Sequence, residues 1–145
     1  MIARIEVRGS KELERYLKTA SAEVREEVGN QVTTTALRLQ KDAKRRVKKK
    51  PASGRVYEKY NPRRTHQASA PGEAPMSDTG RLANSIVFDT VGPLTATVGA
   101  RAVYAAWLEY GTRKMAPRPF MRPAAEVQRA RFQDDIEAAI RRATK

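Results

Sequence analysis

From Ile2 to Val7 apolar and polar side chains alternate, which predicts a short strand with one buried face. Gly9-Ser10 closes it, and Ser10 stands where it can cap a following helix. Thereafter Leu13, Leu17, Ala20, Val24, Val28, Val32, Ala36, Leu39, Ala43 and Val47 recur every three or four residues, the spacing of one helical stripe. The pattern predicts a single long amphipathic helix of about ten turns at ~3.6 residues each. Gly29-Asn30 and the β-branched run Val32-Thr33-Thr34-Thr35 weaken its middle and predict a bend there. Pro51 ends it.

Residues 51–77 show neither period, and the stretch reads as an extended arm or loop. Its proline-rich end, His66 to Pro75, combines small residues with a Pro-Gly turn. Ser77 or Asp78 can cap a short helix bearing Leu82 and Ile86. Ile86–Val91 and Leu94–Gly99 flank Gly92-Pro93 and predict an antiparallel hairpin. Tyr104–Tyr110 predicts a helix stopped by Gly111, and Pro123 opens a last helix to about Ala143 with Phe132, Ile136 and Ile140 on one stripe. There is no internal repeat. The fold class is α+β: a long N-terminal helix, a small antiparallel sheet with a central hairpin, a long irregular arm and a C-terminal helix, in one domain over residues 1–145.

Between Gly111 and Pro123 the prolines forbid a helix, and Met115, Phe120 and Met121 lie on irregular backbone beside arginines. That mixture has the composition of an interface centre, so the segment reads as a docking strip; plugging the local core is the plainer role.

Composition narrows the picture. Only nine residues are aromatic, so the core rests on Leu, Ile, Val and Ala. Cysteine is absent, which excludes disulfides, thiolate metal sites and thiol nucleophiles. No apolar run approaches the roughly 20 residues of a membrane span, and the opening residues lack a signal peptide's apolar stretch. The expectation is a soluble protein. The net charge of +13 is concentrated: residues 38–64 hold twelve Lys or Arg against Asp42 and Glu58. Lys44, Arg45, Arg46, Lys48, Lys49, Lys50, Arg55, Arg63 and Arg64 are therefore candidates to face DNA or another polyanion through counterion release. A solvated helix end is the competing explanation, and no base-reading motif accompanies the charge.

Catalysis finds little support. His66 is the only histidine and reads as an ordinary exposed loop side chain. Asp78, Asp89 and Glu109 are possible carboxylates for magnesium in a nuclease, but nothing in their spacing sets them beside a catalytic lysine; Asp78 reads better as a helix cap and Glu109 as an arginine's partner. Gly111-Thr112-Arg113-Lys114 lacks the phosphate-loop pattern. No catalytic residue, metal or cofactor is assigned.

Four pieces in order carry a resemblance: Ser53-Gly54-Arg55-Val56-Tyr57; His66 through Pro75; Asp78-Thr79-Gly80-Arg81-Leu82-Ala83-Asn84-Ser85-Ile86; and Tyr104-Ala105 through Leu108-Glu109-Tyr110-Gly111-Thr112 to Arg118-Pro119-Phe120-Met121-Arg122-Pro123. With them the chain resembles the small neck proteins of long-tailed bacteriophages and prophages, the tail-component or head-tail joining family, over about residues 10–140. The resemblance implies a non-enzymatic structural virion protein, present in the host cytoplasm during assembly. It would form a ring of six-fold or twelve-fold symmetry around the DNA path. Its partners would be portal, adaptor or stopper, and tail terminator or tail-tube proteins. The Lys48-Lys49-Lys50 run stands outside the family's pattern. On this reading the arm and the docking strip supply subunit or partner contacts, with Tyr57, His66, Pro71, Gly72, Pro75, Tyr110, Gly111, Met115, Arg118, Phe120 and Met121 as candidate interface residues. A sequence-nonspecific DNA-binding protein is the alternative.

Overall fold

A computed structural model describes residues 3–48 and 52–145. The alternating opening forms strand β1 (Ala3–Arg8), with Ala3 and Val7 buried and Arg4, Glu6 and Arg8 exposed. Ser10 then caps α1 (Lys11–Thr19), its hydroxyl oxygen accepting from Leu13 N at 3.2 Å. The expected single helix is in fact two. α1 stops at Thr19 and α2 runs from Ala22 to Lys48, unbroken through Gly29. The break falls at Ala20-Ser21 because Ala20 is extended and the Ser21 hydroxyl accepts from Val24 N at 3.3 Å, which replaces a lost helical bond. Gly29 serves a different purpose from a bend: a Cβ there would lie 2.6 Å from the Pro93 carbonyl oxygen, so glycine lets the hairpin turn approach the helix.

The predicted central hairpin is β4 (Ile86–Gly92) and β5 (Thr95–Ala100). β5 also pairs antiparallel with β1, giving a three-stranded sheet in the order β1-β5-β4. The register aligns Ile5, Val98 and Phe88 across the strands. Between the sheet elements and α2 lies the core, where Val28, Val32, Ala36, Leu39, Ala43 and Val47 are each at most 2% exposed. The last helix, α5 (Met121–Ala143), lies antiparallel along α2. Cross-links mark the seam: Arg142 to Glu27 at 2.7 Å, Arg38 to Asp135 at 2.8 Å, Gln128 to Asp42 at 2.6 Å and Arg46 to the Pro123 carbonyl at 3.5 Å. Arg38 and Arg46 of the basic block are thus committed to intramolecular contacts.

Two short helices complete the chain, α3 (Arg81–Ser85) and α4 (Ala105–Tyr110). Neither Ser77 nor Asp78 is the N-cap of α3; Gly80 is, at φ +80°, and the Ser77 hydroxyl accepts from Gly80 N at 3.0 Å. α5 begins two residues earlier than its proline predicted, so Pro123 occupies the first turn, where a helix needs no N–H. Among the described residues no helix is long and apolar enough to cross a membrane.

Candidate interaction surface: the ribbon and the loops beneath it

The stretch read as an aperiodic arm contains a second, two-stranded sheet. β2 (Val56–Tyr60) pairs antiparallel with β3 (Arg63–Gln67), and the turn between them holds a cis Asn61-Pro62 bond. Cross-strand pairs divide the ribbon into two faces. Tyr57 opposite His66 and Lys59 opposite Arg64 form the inner face. The three basic side chains of this face converge on one carboxylate, that of Asp78: Lys59 Nζ and Arg64 Nη1 bond its two oxygens, and His66 Nδ1 lies 3.5 Å away. The hydrogen bond from Lys59, with help from Arg64 and against the cost of desolvation, holds the Asp78 carboxyl below the usual carboxylate range. Asp78 is therefore a clamp for the ribbon rather than the helix cap expected of it. His66 is half-buried against it, not freely exposed.

The outer face, Val56, Glu58, Tyr60, Arg63, Thr65 and Gln67, is exposed throughout. Val56 and Tyr60 are 56% and 67% exposed. Arg55 lies with its guanidinium 5.4 Å from the centre of the Tyr57 ring.

Below the ribbon the sequence pieces that carried the resemblance meet one another. Gly54 N donates to Ala68 O and Ala68 N to Arg55 O, both at 2.9 Å, closing the ribbon's base. A Cβ at residue 54 would sit 2.6 Å from the carbonyl oxygens of both Ala68 and Ser69, so only glycine fits. Glu73 accepts from the Ser53 hydroxyl, from Ser53 N at 3.1 Å and from Ala70 N at 2.8 Å, bonds that keep its carboxyl below the ordinary range. The proline-rich loop then binds the supposed docking strip. Gly72 N donates to Pro117 O at 3.2 Å, and Arg118 Nη1 donates to the buried Ser69 hydroxyl at 2.9 Å. Pro75 is buried, while Pro71 and Gly72 are exposed.

The strip itself is shaped by Glu109. This carboxylate is 2% exposed and accepts from three successive backbone N–H groups: Phe120 and Met121 on Oε2 at 2.8 and 2.9 Å, Arg122 on Oε1 at 2.8 Å. Those donors are the ones a helix start leaves unpaired, so α4 supplies the cap of α5. The expected arginine partner is replaced by a helix terminus. As a consequence Phe120 and Met121 point into the core at 0% and 1% exposure, and the hydrophobic display expected of them is corrected. Pro75, also a candidate contact, is likewise inside. Met115 and Arg118 are half-buried and Tyr110 is 56% exposed. Gly111 makes the turn possible: its φ of +76° and ψ of 178° suit glycine, and a Cβ would meet Met115 O at 2.8 Å.

The remaining cations divide. Lys44 and Lys48 stand on the last turns of α2, Arg45 pairs with Asp42 at 2.9 Å, and Arg55 and Arg63 are exposed on the ribbon. Lys49 and Lys50 lie outside the described residues. Sequence reasoning missed one feature: Trp107 and Tyr110 on α4, and Val103 in the turn before it, are exposed apolar side chains at i, i+4 and i+7. Helical spacing alone would have shown it. Among the described residues no group of three or more His, Cys, Asp or Glu is placed to hold a metal.

The domain is α+β, with a two-stranded ribbon whose inner face is clamped by Asp78. A family model described as "Bacteriophage HK97-gp10, putative tail-component" matches residues 11–111, and the chain belongs to this HK97-gp10-like family of phage tail components. The match spans α1 through Gly111, so it includes the ribbon, Asp78 and Glu109 and leaves α5 outside. No curated protein and no solved structure matches the chain.

Proposed function

We propose that this protein is a ring-forming subunit of the phage neck, joining the head on its portal and adaptor side to the tail around the DNA path and residing in the finished virion. The ribbon carries the reading. A two-stranded ribbon is marginal in water on its own, yet here Asp78 fastens one face and the other is left bare. Such an arm gains stability when a neighbouring subunit or ring covers it. The bond between Gly54 N and Ala68 O shows where it can be removed. Joining Gly54 directly to Ala68 should leave the helical circular dichroism intact while filled heads and tails accumulate unjoined. Normal ring formation and normal particle titre in that deletion would falsify the reading.

DNA contact is the second reading, favoured by Lys41, Lys44 and Lys48, which follow helical spacing on the outer side of α2 and take part in no ion pair among the described residues. Replacing all three with glutamine should reduce the salt slope of duplex binding by roughly 2 to 3. Tight, steeply salt-dependent binding by the free protein would make DNA binding an activity in its own right. Absence of binding at physiological salt limits these lysines to lining the path.

A further inference from the structure

A cavity of about 410 Å³ opens where the ribbon's base, the loop before α3, α4 and the 111–120 segment meet. Its size falls within the ~300–1,000 Å³ of ligand sites. Pro75, Met76, Leu82 and Leu108 supply apolar wall, and Arg81 and Arg118 supply two guanidinium groups.

Arg118 is underused. Its Nη1 donates to the buried Ser69 hydroxyl at 2.9 Å, but its Nε is shut off from solvent with no acceptor, and neither Nε nor Nη2 has a partner among the described residues. A charged group turned inward is costly until its donors are paired. Glu73 is close enough to feel the charge of Arg118, yet its oxygens are occupied by the Ser53 hydroxyl and the N–H groups of Ser53 and Ala70. Arg81 is exposed and has no ion pair among the described residues. Asp78, the one carboxylate in the cavity's lining, is already held between Lys59 and Arg64. The charge left over in the cavity is therefore positive.

We propose that this cavity binds a carboxylate carried on a short apolar stem, the chemistry of a glutamate side chain. Arg118 is the fork at its end and Arg81 a second cation at the rim. With Nη1 spent on Ser69, the edge of the guanidinium that remains is Nη2 with Nε. A carboxylate that meets Nη2 also reaches Nε after a small turn of the guanidinium, giving the two parallel bonds for which the arginine fork is suited. Phosphate fits less well: a dianion sets twice the charge against Asp78 and leaves the apolar wall unused, whereas a stemmed carboxylate uses both parts of the lining. The inference stands apart from the ring reading, because it concerns what enters one copy, whatever that copy joins.

Butyrate is the probe, since it has the carboxylate and stem of glutamate. Butyramide has its shape without the charge, and inorganic phosphate has charge without the stem. In proton–nitrogen spectra of the full chain, at neutral pH and constant ionic strength, butyrate should shift the Arg118 Nε–H signal and the amides of residues 66–82 along one saturable curve, with a Kd on the order of 10 mM. Butyramide and phosphate should bind at least roughly tenfold more weakly. Arg118→Lys keeps the charge and loses the fork, and should weaken butyrate roughly tenfold. Arg81→Gln should weaken it about threefold; Arg81 is exposed, so that variant keeps the fold. Arg113→Gln, an exposed arginine outside the cavity, should leave binding unchanged. A capped tripeptide with a central glutamate separates the two sources of such a group. Binding at least as tight as butyrate assigns the site to a partner polypeptide, and exclusion of the peptide while butyrate binds assigns it to a free carboxylate. The absence of a saturable shift, equal binding of butyramide or phosphate, or undiminished binding by both cavity-arginine variants overturns the proposal.

Discussion

Glu109→Ala tests the internal logic of this fold most directly. The carboxylate holds three backbone N–H groups at 2.8 to 2.9 Å, and two of them belong to residues that are 0% and 1% exposed. Removing the acceptor leaves those two donors buried and unpaired, each at a cost of about 1–3 kcal/mol. The N–H of Arg122, an exposed residue, can turn to water at little cost. Loss of charge at the helix N-terminus adds about 0.3–1 kcal/mol. The expected destabilisation is about 3–5 kcal/mol, a large part of the ~5–15 kcal/mol typical of a domain. Glu109→Gln keeps one acceptor oxygen, which can still serve Phe120 and Met121, but presents an amide donor toward Arg122 N; it should cost about 1–2 kcal/mol. Urea unfolding followed by far-UV circular dichroism measures both. An alanine variant less than about 1 kcal/mol below wild type, or a glutamine variant as unstable as alanine, would refute the cap.

Gly111→Ala places a Cβ 2.8 Å from Met115 O at positive φ and should lower stability by about 2 kcal/mol or more, read as a drop in melting temperature of about 5 °C or more; an unchanged melting temperature would show that the turn relaxes freely. Asp78→Asn should speed amide exchange across residues 56–67 by roughly tenfold while α2 and α5 keep their protection. Equal acceleration everywhere would make Asp78 a global support rather than a clamp. Because the folded Asp78 carboxyl titrates below its unfolded value, the stability it contributes is complete above the unfolded value of about 3.9 and is lost as pH falls through the lower folded one. The ribbon should thus stay attached from neutral pH to about 4, read as slow amide exchange across residues 56–67, and loosen only below it; detachment at pH 5 to 6 would assign control to another group.

What the amino-acid sequence determined by itself is whatever depends on a single periodicity read against one core. The α2 stripe, the β4–β5 hairpin, the Ser10 cap and the Gly111 stop all follow from local spacing and turn chemistry, and each is in the structure. The ribbon escaped detection because it has no apolar face: one side is turned to a carboxylate and the other to water, so its alternation carries no hydrophobic signal. The helix break at Ala20-Ser21 escaped because the stripe continues in phase through Ala20, and only the cap geometry shows the interruption. Tertiary structure alone decided which hydrophobic residues of the 111–123 segment are displayed. Glu109, eleven residues before Phe120, draws that backbone inward and buries Phe120 and Met121, while the same short helix turns Trp107 and Tyr110 outward. A carboxylate satisfying distant backbone donors has no local period, so it becomes visible only when the chain has folded both ends together.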